Sequence, residues 1–465
     1  MSMGFLPVAL WTDGLLWLLV AAIAAYGWRC SRKPHLAEPW RRVFRSRSAA
    51  VTCVVLACYV LVALMDSVHF RPRLERQAPG AETAYAGRVM SLLDLALPHL
   101  YEHSEKTYSA PFATRLFAKE LVELPGGKTA REYPRLRYGG AQLADEGDRA
   151  GDIARRALLA LLAAAALWGA TGLALRPLAR RHPQVHWGAA WTTLAAVLSV
   201  MAPLLALSGA YHVLGTDKVG QDVFYQALKS VRTSVIIGTL TTLVLLPLGL
   251  GLGIMAGYFK GWVDDAIQYL YTTIHSIPSV LLIAAAVLMM QVYIDGHPQL
   301  FPTTAQRADL RLLFLCVILG FTSWTGLARL LRGETLKLRE LEFIQAAQAF
   351  GVGPARILTR HVLPNVMHLV IISLVMDFSG LVLAEAVLSY VGVGVDPSMI
   401  SFGTMINAAR LEIAREPMVW WVLAAAFIFM FALVLAANLF ADAIRDAFDP
   451  RVRVGAAVAR TEAAA

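Results

Sequence analysis

Nine long apolar runs punctuate the chain, at about 8–28, 49–65, 157–175, 188–208, 234–257, 267–292, 312–331, 366–393 and 419–439. They approach or exceed the roughly 20 apolar residues that a helix needs to cross hydrocarbon. With no water in lipid to satisfy the backbone, only helices can close all hydrogen bonds in runs this long. The pattern predicts an all-α fold, a polytopic membrane helical bundle of about nine spans. A polar segment at 67–156 separates the second run from the third, with turn signals at Pro79-Gly80, Pro125-Gly126-Gly127 and Gly139-Gly140.

Charge orients the runs. Arg29, Arg32, Lys33, Arg41, Arg42, Arg45 and Arg47 lie between the first two, and Arg176, Arg180 and Arg181 lie in the tight turn of the 157–208 hairpin. Lys and Arg concentrate in short cytoplasmic loops. The expected arrangement puts the N-terminus outside, Lys260 and Asp264 inside, and the tail with Arg445, Arg451 and Arg453 inside. Arg155 and Arg156 stand at the opposite end of the hairpin, which returns the chain to the same side whichever way it is drawn.

Composition agrees. The 465 residues are 57% hydrophobic and 16% charged, with mean hydropathy +0.56, which excludes an ordinary soluble domain. The net charge of +9 is explained by cytoplasmic Lys and Arg, and no basic stripe interleaved with aromatics points to nucleic acid. Cys30, Cys53, Cys58 and Cys316 lie in or beside apolar runs, so no disulfide framework is implied. The first ten residues lack a basic leader region, so the first run reads as a retained anchor.

One polar, helix-prone stretch between two apolar runs carries the most chemistry: EFIQAAQAFGVGPARILTRHVLPN, 342–365. Ala346, Ala347 and Ala349 make a helix with little side-chain bulk, open to close approach. Gly351 and Gly353 allow backbone angles closed to other residues, and Pro354 can start a second helix. Arg356 and Arg360 are spaced to share one face of that helix, and Pro364 is expected to end the segment. An ordinary basic loop would account for Arg356, Arg360 and His361, but not for Ala-Ala-x-x-x-Gly followed at a distance by Leu-Pro-Asn.

Inside the spans, Gly249, Gly253 and Gly257 form two overlapping G-x-x-x-G units suited to close helix contact. Pro247 and Pro278 mark expected kinks. Asp377 and Glu385 are acidic groups within a span, which either face an aqueous path or pair locally. Other patterns read as decoys. Gly127-Lys128-Thr129 lacks the upstream glycine of a phosphate-binding loop. Gly251-x-Gly253-x-x-Ala256 lies within a span rather than after a strand. His182 and His186 flank Pro183 without a further ligand, so no metal site is expected.

Gln345-Ala346-Ala347, Gly351 and Leu363-Pro364 resemble the EAA loop of ABC importer permeases. Gln345 replaces the usual Glu, and Gln348 stands where Arg is frequent. Further segments resemble the dipeptide/oligopeptide/nickel subfamily: the basic lead-in beginning at Glu38, and Leu214-Gly215-Thr216-Asp217 with Gly220 and Asp222-Val223, where Gln221 replaces an Arg. So do Leu388-Ser389-Tyr390-Val391-Gly392-Val393-Gly394 and the signature from Asn438 through Asp449-Pro450 to Arg451. Tyr108 to Ala113 and Tyr133 to Tyr138 weakly resemble the external segment of microcin C/oligopeptide-type members.

The resemblance implies a type I importer-like core at 209–453. Before it come a two-span piece with a basic loop at 1–66, an external insertion at 67–156 and a hairpin at 157–208 that, like the first span, is extra to the usual plan. A tail, 454–465, follows. It implies a non-catalytic permease for peptides or a similar small solute in the bacterial inner membrane. The implied ATPase-coupling loop comprises Gln345, Ala346, Ala347, Gly351, Arg356, Leu363 and Pro364, with Asp377 and Glu385 as candidate path residues. The implied partners are a second permease subunit, two ATP-binding subunits that hold the ATP, an external solute-binding protein and the lipid membrane. No cofactor of its own, no metal and no nucleic acid is expected. The alternative is an ion-coupled secondary transporter using Asp377 and Glu385, although no inverted repeat is visible. A membrane-embedded enzyme is disfavoured by the lack of catalytic groups.

Overall fold

The computed structural model describes residues 5–73, 85–124, 128–301 and 303–448. The expected turns at Pro79-Gly80 and at 125–127, the end of the C-terminal signature at 449–451, and the tail lie outside the described residues.

In chain order, β1 (Phe5–Val8) precedes α1 (Trp11–Arg32), α2 (Pro34–Val43) and α3 (Arg47–Asp66). The polar segment holds β2 (His69–Pro72), β3 (Met90–Ser91), α4 (Leu92–Ala96), α5 (Pro98–Glu102), β4 (Glu120–Leu124) and β5 (Lys128–Glu132). Then come α6 (Arg149–Arg181), α7 (Trp187–Ser208), α8 (Val223–Phe259), α9 (Gly261–Ser276), α10 (Ser279–Gly296) and α11 (Thr304–Arg339). The chain continues with α12 (Glu342–Ala349), α13 (Pro354–Ile357), a π-helical turn (Leu358–Val362), α14 (Leu363–Val391), α15 (Phe402–Ala409) and α16 (Trp421–Phe448). Among the described residues, nine helices are long and apolar enough to cross a membrane, as the nine runs require.

Pro278 does more than kink. The expected span at 267–292 is two helices, α9 and α10, with Ile277 extended between them at φ −90° and ψ 132°. A proline removes one backbone donor and disfavours the helical region for the residue before it, which ends α9 there. Pro247, by contrast, is carried within the continuous helix α8.

Two compact units make up the chain. The first comprises Met1–Asp13, Phe44–Val235 and Pro397–Ala436. Within it, β1, β2 and β3 form an antiparallel sheet, β4 and β5 a hairpin, and α7 packs against both α6 and α3. Lys128 and Thr129 belong to β5, so they do not open a helix as a phosphate-binding loop must.

Buried ion pairs tie the start of α1, the end of α3 and the polar segment to the first turns of α8. Lys229 lies 2.5 Å from Asp66 and 2.9 Å from Asp94, and Arg232 reaches Asp13 at 2.5 Å. His212 sits between Asp222, at 2.7 Å, and Glu105, at 3.4 Å. Burial alone would lower the His212 pKa, but hydrogen bonds to these two carboxylates outweigh it and raise it to about 9. Glu105 is pushed up by burial, then brought down to about 2 by His212 and by the backbone N–H groups of Arg137, Tyr138 and Gly139. The carboxylate and the imidazolium each stabilise the charged form of the other.

The second unit comprises Gly14–Val43, Ile236–Asp396 and Ala437–Ala465. Its apolar core joins Leu245, Ile254 and Tyr258 of α8 to Trp324, Leu327, Ala328 and Leu331 of α11 and to Val366, Val370 and Leu381 of α14. The glycine stripe brings α8 and α11 together. A Cβ on Gly253 would lie 2.7 Å from the Ala328 carbonyl, and one on Gly257 would lie 2.6 Å from Thr335 Cβ. Only glycine admits an approach this close.

Candidate functional site

The 342–365 stretch is built as two short helices standing on the end of the second unit. α12 closes at Phe350. The Gly351 N–H donates to the Gln348 carbonyl and the Val352 N–H to the Ala347 carbonyl, both at 3.0 Å. Gly351 takes φ +73°. This is a Schellman closure, with Gly351 as the left-handed residue and Ala347 and Val352 as its paired apolar positions. Both pack against the apolar core. The Ala-Ala-x-x-x-Gly spacing thus has a local cause: the glycine must follow the second alanine by four residues for the closing bonds to form.

Gly353 differs from expectation. Its φ of −62° is open to any residue, so only one of the two glycines uses its conformational freedom. It precedes Pro354 at the start of α13, where a proline loses nothing. The regular α-helical register expected for Arg356 and Arg360 is interrupted, because α13 passes into the π turn after Ile357. Nor does Pro364 end the segment. It stands two residues after the π turn, inside a helical run that continues from α13 into α14, and the shifted bonds of the π turn fall where its missing N–H interrupts the ladder.

Three aliphatic side chains anchor the stretch. Ile344, Ile357 and Val362 are fully buried in the core with Tyr258, Leu331 and Val366. The Gln348 amide donates to the Tyr258 hydroxyl at 3.3 Å, and Gln345 donates to the Glu340 carbonyl at 3.2 Å. Beneath, Arg332 grips Asp264 through two bonds of 2.6 and 2.7 Å, tying α11 to α9 and holding the Asp264 carboxyl below its usual range. Lys260 pairs with Glu340 at 2.9 Å on the surface.

The other face is left open. Ala346, Ala349, Phe350, Gly351, Arg356, Arg360 and Pro364 are exposed, and Ala347 and Leu363 are half-buried. Phe350 is 87% exposed, in the polar stretch between two spans. A Cβ on Gly351 would meet nothing within 4 Å, so within this chain the glycine is needed for its backbone angle and not for space. Phe350 was not among the residues singled out from sequence. The signal is its position: the last residue before a left-handed glycine projects from the end of its helix.

The acidic pair sits elsewhere, on α14. Asp377 is half-buried and Glu385 fully buried. Eight residues of helix turn about 80°, so the two do not share a face. The Ser389 hydroxyl donates to Glu385 at 2.6 Å one turn on. Among the described residues no group of His, Cys, Asp and Glu could hold a metal ion.

The family model described as binding-protein-dependent transport system inner membrane component matches residues 249–454, which contain the whole stretch. The oligopeptide transport system permease protein OppC of Mycobacterium tuberculosis (strain H37Rv) is 34% identical over 250 residues, covering 54% of this chain and 79% of that protein. The chain belongs to this family of transport-system inner membrane components. The glutathione transport system permease protein GsiD of Pectobacterium atrosepticum is 32% identical, over 52% of this chain and 73% of its own. The dipeptide transport system permease protein DppC of Bacillus subtilis is 29% identical, over 52% and 70%. A solved structure of the MetNI methionine ABC transporter in inward-facing conformations aligns with 16% identity over 49% of this chain and 98% of that one, at a TM-score of 0.36.

The protein is therefore an ABC importer permease, the membrane-spanning and non-catalytic part of its transporter. Membership favours this reading over the ion-coupled alternative.

Proposed function

We propose that this permease is the membrane subunit of a bacterial importer for peptides or a similar small solute, residing in the inner membrane. It works with a second permease subunit, two ATP-binding subunits and an external solute-binding protein, and ATP is held by the ATP-binding subunits alone. The peptide reading is supported by the relatives, whose names specify oligopeptide, glutathione and dipeptide transport.

The loop at 342–365, with Gln345, Ala346, Ala347, Gly351, Arg356, Leu363 and Pro364, is the coupling element. The observation that supports this most is its two-sidedness. One face is nailed to α8, α11 and α14 by Ile344, Ile357 and Val362, while the opposite face exposes Phe350 and Arg356. A push on the exposed face is passed to three spans as a unit, because close-packed cores shift between discrete arrangements rather than deform smoothly. Of the two acidic residues on α14, Asp377 is the one proposed to face the path, since Glu385 is buried and hydrogen-bonded to Ser389.

Uptake of a labelled oligopeptide by intact cells tests both halves. Gly351→Glu is expected to abolish uptake at unchanged membrane abundance, because it forces a Cβ into a left-handed conformation and puts a carboxylate on the coupling face. Normal uptake by that variant removes the loop from the mechanism. Failure of unlabelled peptides to compete removes the substrate class.

A further inference from the structure

The hairpin α6–α7 and the first residues of α3 gather arginine at one end of the first unit. Arg45 donates to Gln184 at 3.2 Å, which joins the turn before α3 to the turn between α6 and α7. Arg45, Arg47, Arg176, Arg180 and Arg181 are all exposed at this end. No Asp or Glu occurs from 39 to 65 or from 153 to 216, and none of the five arginines has an ion pair among the described residues.

A bare basic loop would satisfy the positive-inside rule with its charges spread apart. Here two loops far apart in sequence are brought together, which costs mutual repulsion unless an anion sits between them. What surrounds them says which anion. Leu173 and Leu178, on the last turns of α6, are exposed apolar side chains of a membrane span. The Trp187 indole donates to the His182 carbonyl at 2.9 Å in the same turn, the level at which tryptophan marks the membrane–water boundary. The patch thus lies where headgroups lie, open to lipid on its apolar side. Each loop contributes at least two guanidiniums, and a guanidinium grips phosphate in a two-bond fork.

We propose that this end is a binding site for an anionic phospholipid whose headgroup carries two phosphates, one held by Arg45 and Arg47 and the other by Arg180 and Arg181, with Arg176 flanking. The lipid bridges the turn before α3 and the turn of the hairpin, so the extra hairpin is fastened to the rest of its unit through lipid as well as through side-chain packing.

Native mass spectrometry of the assembled transporter in detergent, titrated with diphosphatidylglycerol, phosphatidylglycerol and phosphatidylethanolamine, tests this. Diphosphatidylglycerol is expected to bind at the lowest concentration and phosphatidylethanolamine at the highest. Each Arg→Gln change is expected to weaken diphosphatidylglycerol about fivefold, so Arg45→Gln with Arg181→Gln weakens it about 25-fold. The corresponding double Lys variant, which keeps the charge but loses the two-bond fork, should weaken it less than the Gln variant does. Equal affinity for the three lipids, preference for either one-phosphate lipid over diphosphatidylglycerol, or an unchanged double Gln variant would each overturn the proposal. Should the double Gln variant fail to accumulate, the lipid order of the unaltered protein and the Lys variant decide.

Discussion

At Gly351 one dihedral angle closes α12 and sets the direction of α13. The φ of +73° costs a residue with a Cβ about 1–2 kcal/mol. Gly353, two residues on, has φ −62° and owes nothing to being glycine. We therefore expect Gly351→Ala to lower peptide uptake several-fold at normal membrane abundance, and Gly353→Ala to transport like the unaltered protein. Equal effects from the two would show that the left-handed turn is not what the loop needs. The spacing of Ala347 and Gly351 was legible in the sequence because a Schellman closure is local. The exposure of Phe350 was not, since it depends on the direction taken by the turn after it.

His212 supplies a pH signature at the same scale. Its folded pKa, near 9, lies above the ordinary histidine value, so its contribution is fully present below about 6.5 and is lost as pH rises through 9. The groups facing it are Asp222 and Glu105, with His103 nearby opposing the charge. Amide exchange protection at Arg137, Tyr138 and Gly139, whose N–H groups donate to Glu105, is expected to fall between pH 7 and pH 10, after correction for the intrinsic rate. His212→Gln should lower protection at pH 7 and flatten the change. Protection independent of pH in both proteins would contradict the charged bridge.

Among elements, the spans were legible because a run of twenty apolar residues has few alternatives. Their interruptions were less so. Pro278 breaks a span that Pro247 leaves whole, and Pro364 sits inside a helical run, two residues after a π turn. What a proline does depends on how the backbone around it makes up for the missing N–H, which hydropathy alone does not show. The glycine stripe was readable as a contact face, and its partner, α11, came from the fold. Gly253→Val is expected to overpack that contact by about 1–3 kcal/mol and to reduce the amount of protein in the membrane. Gly251→Val, where a Cβ meets nothing within 4 Å, is the matched control and should accumulate normally. A membrane blot showing equal amounts of both variants would separate the stripe from helix packing.

For the whole molecule, class and span number followed from composition and periodicity, while the ion-pair network at the first turns of α8 did not. Arg232 meets Asp13 across 219 positions and Lys229 meets Asp66 across 163, separations at which no local pattern operates. The central claim is that an importer permease presents 342–365 to an ATP-binding partner. A photo-crosslinking residue in place of Phe350, in the assembled and transporting complex, tests this most directly, with Tyr133, exposed in the polar segment, as the control position. An adduct between position 350 and the ATP-binding subunit is expected, and none from position 133. The absence of that adduct from position 350, in a complex that still imports at the normal rate, would contradict it.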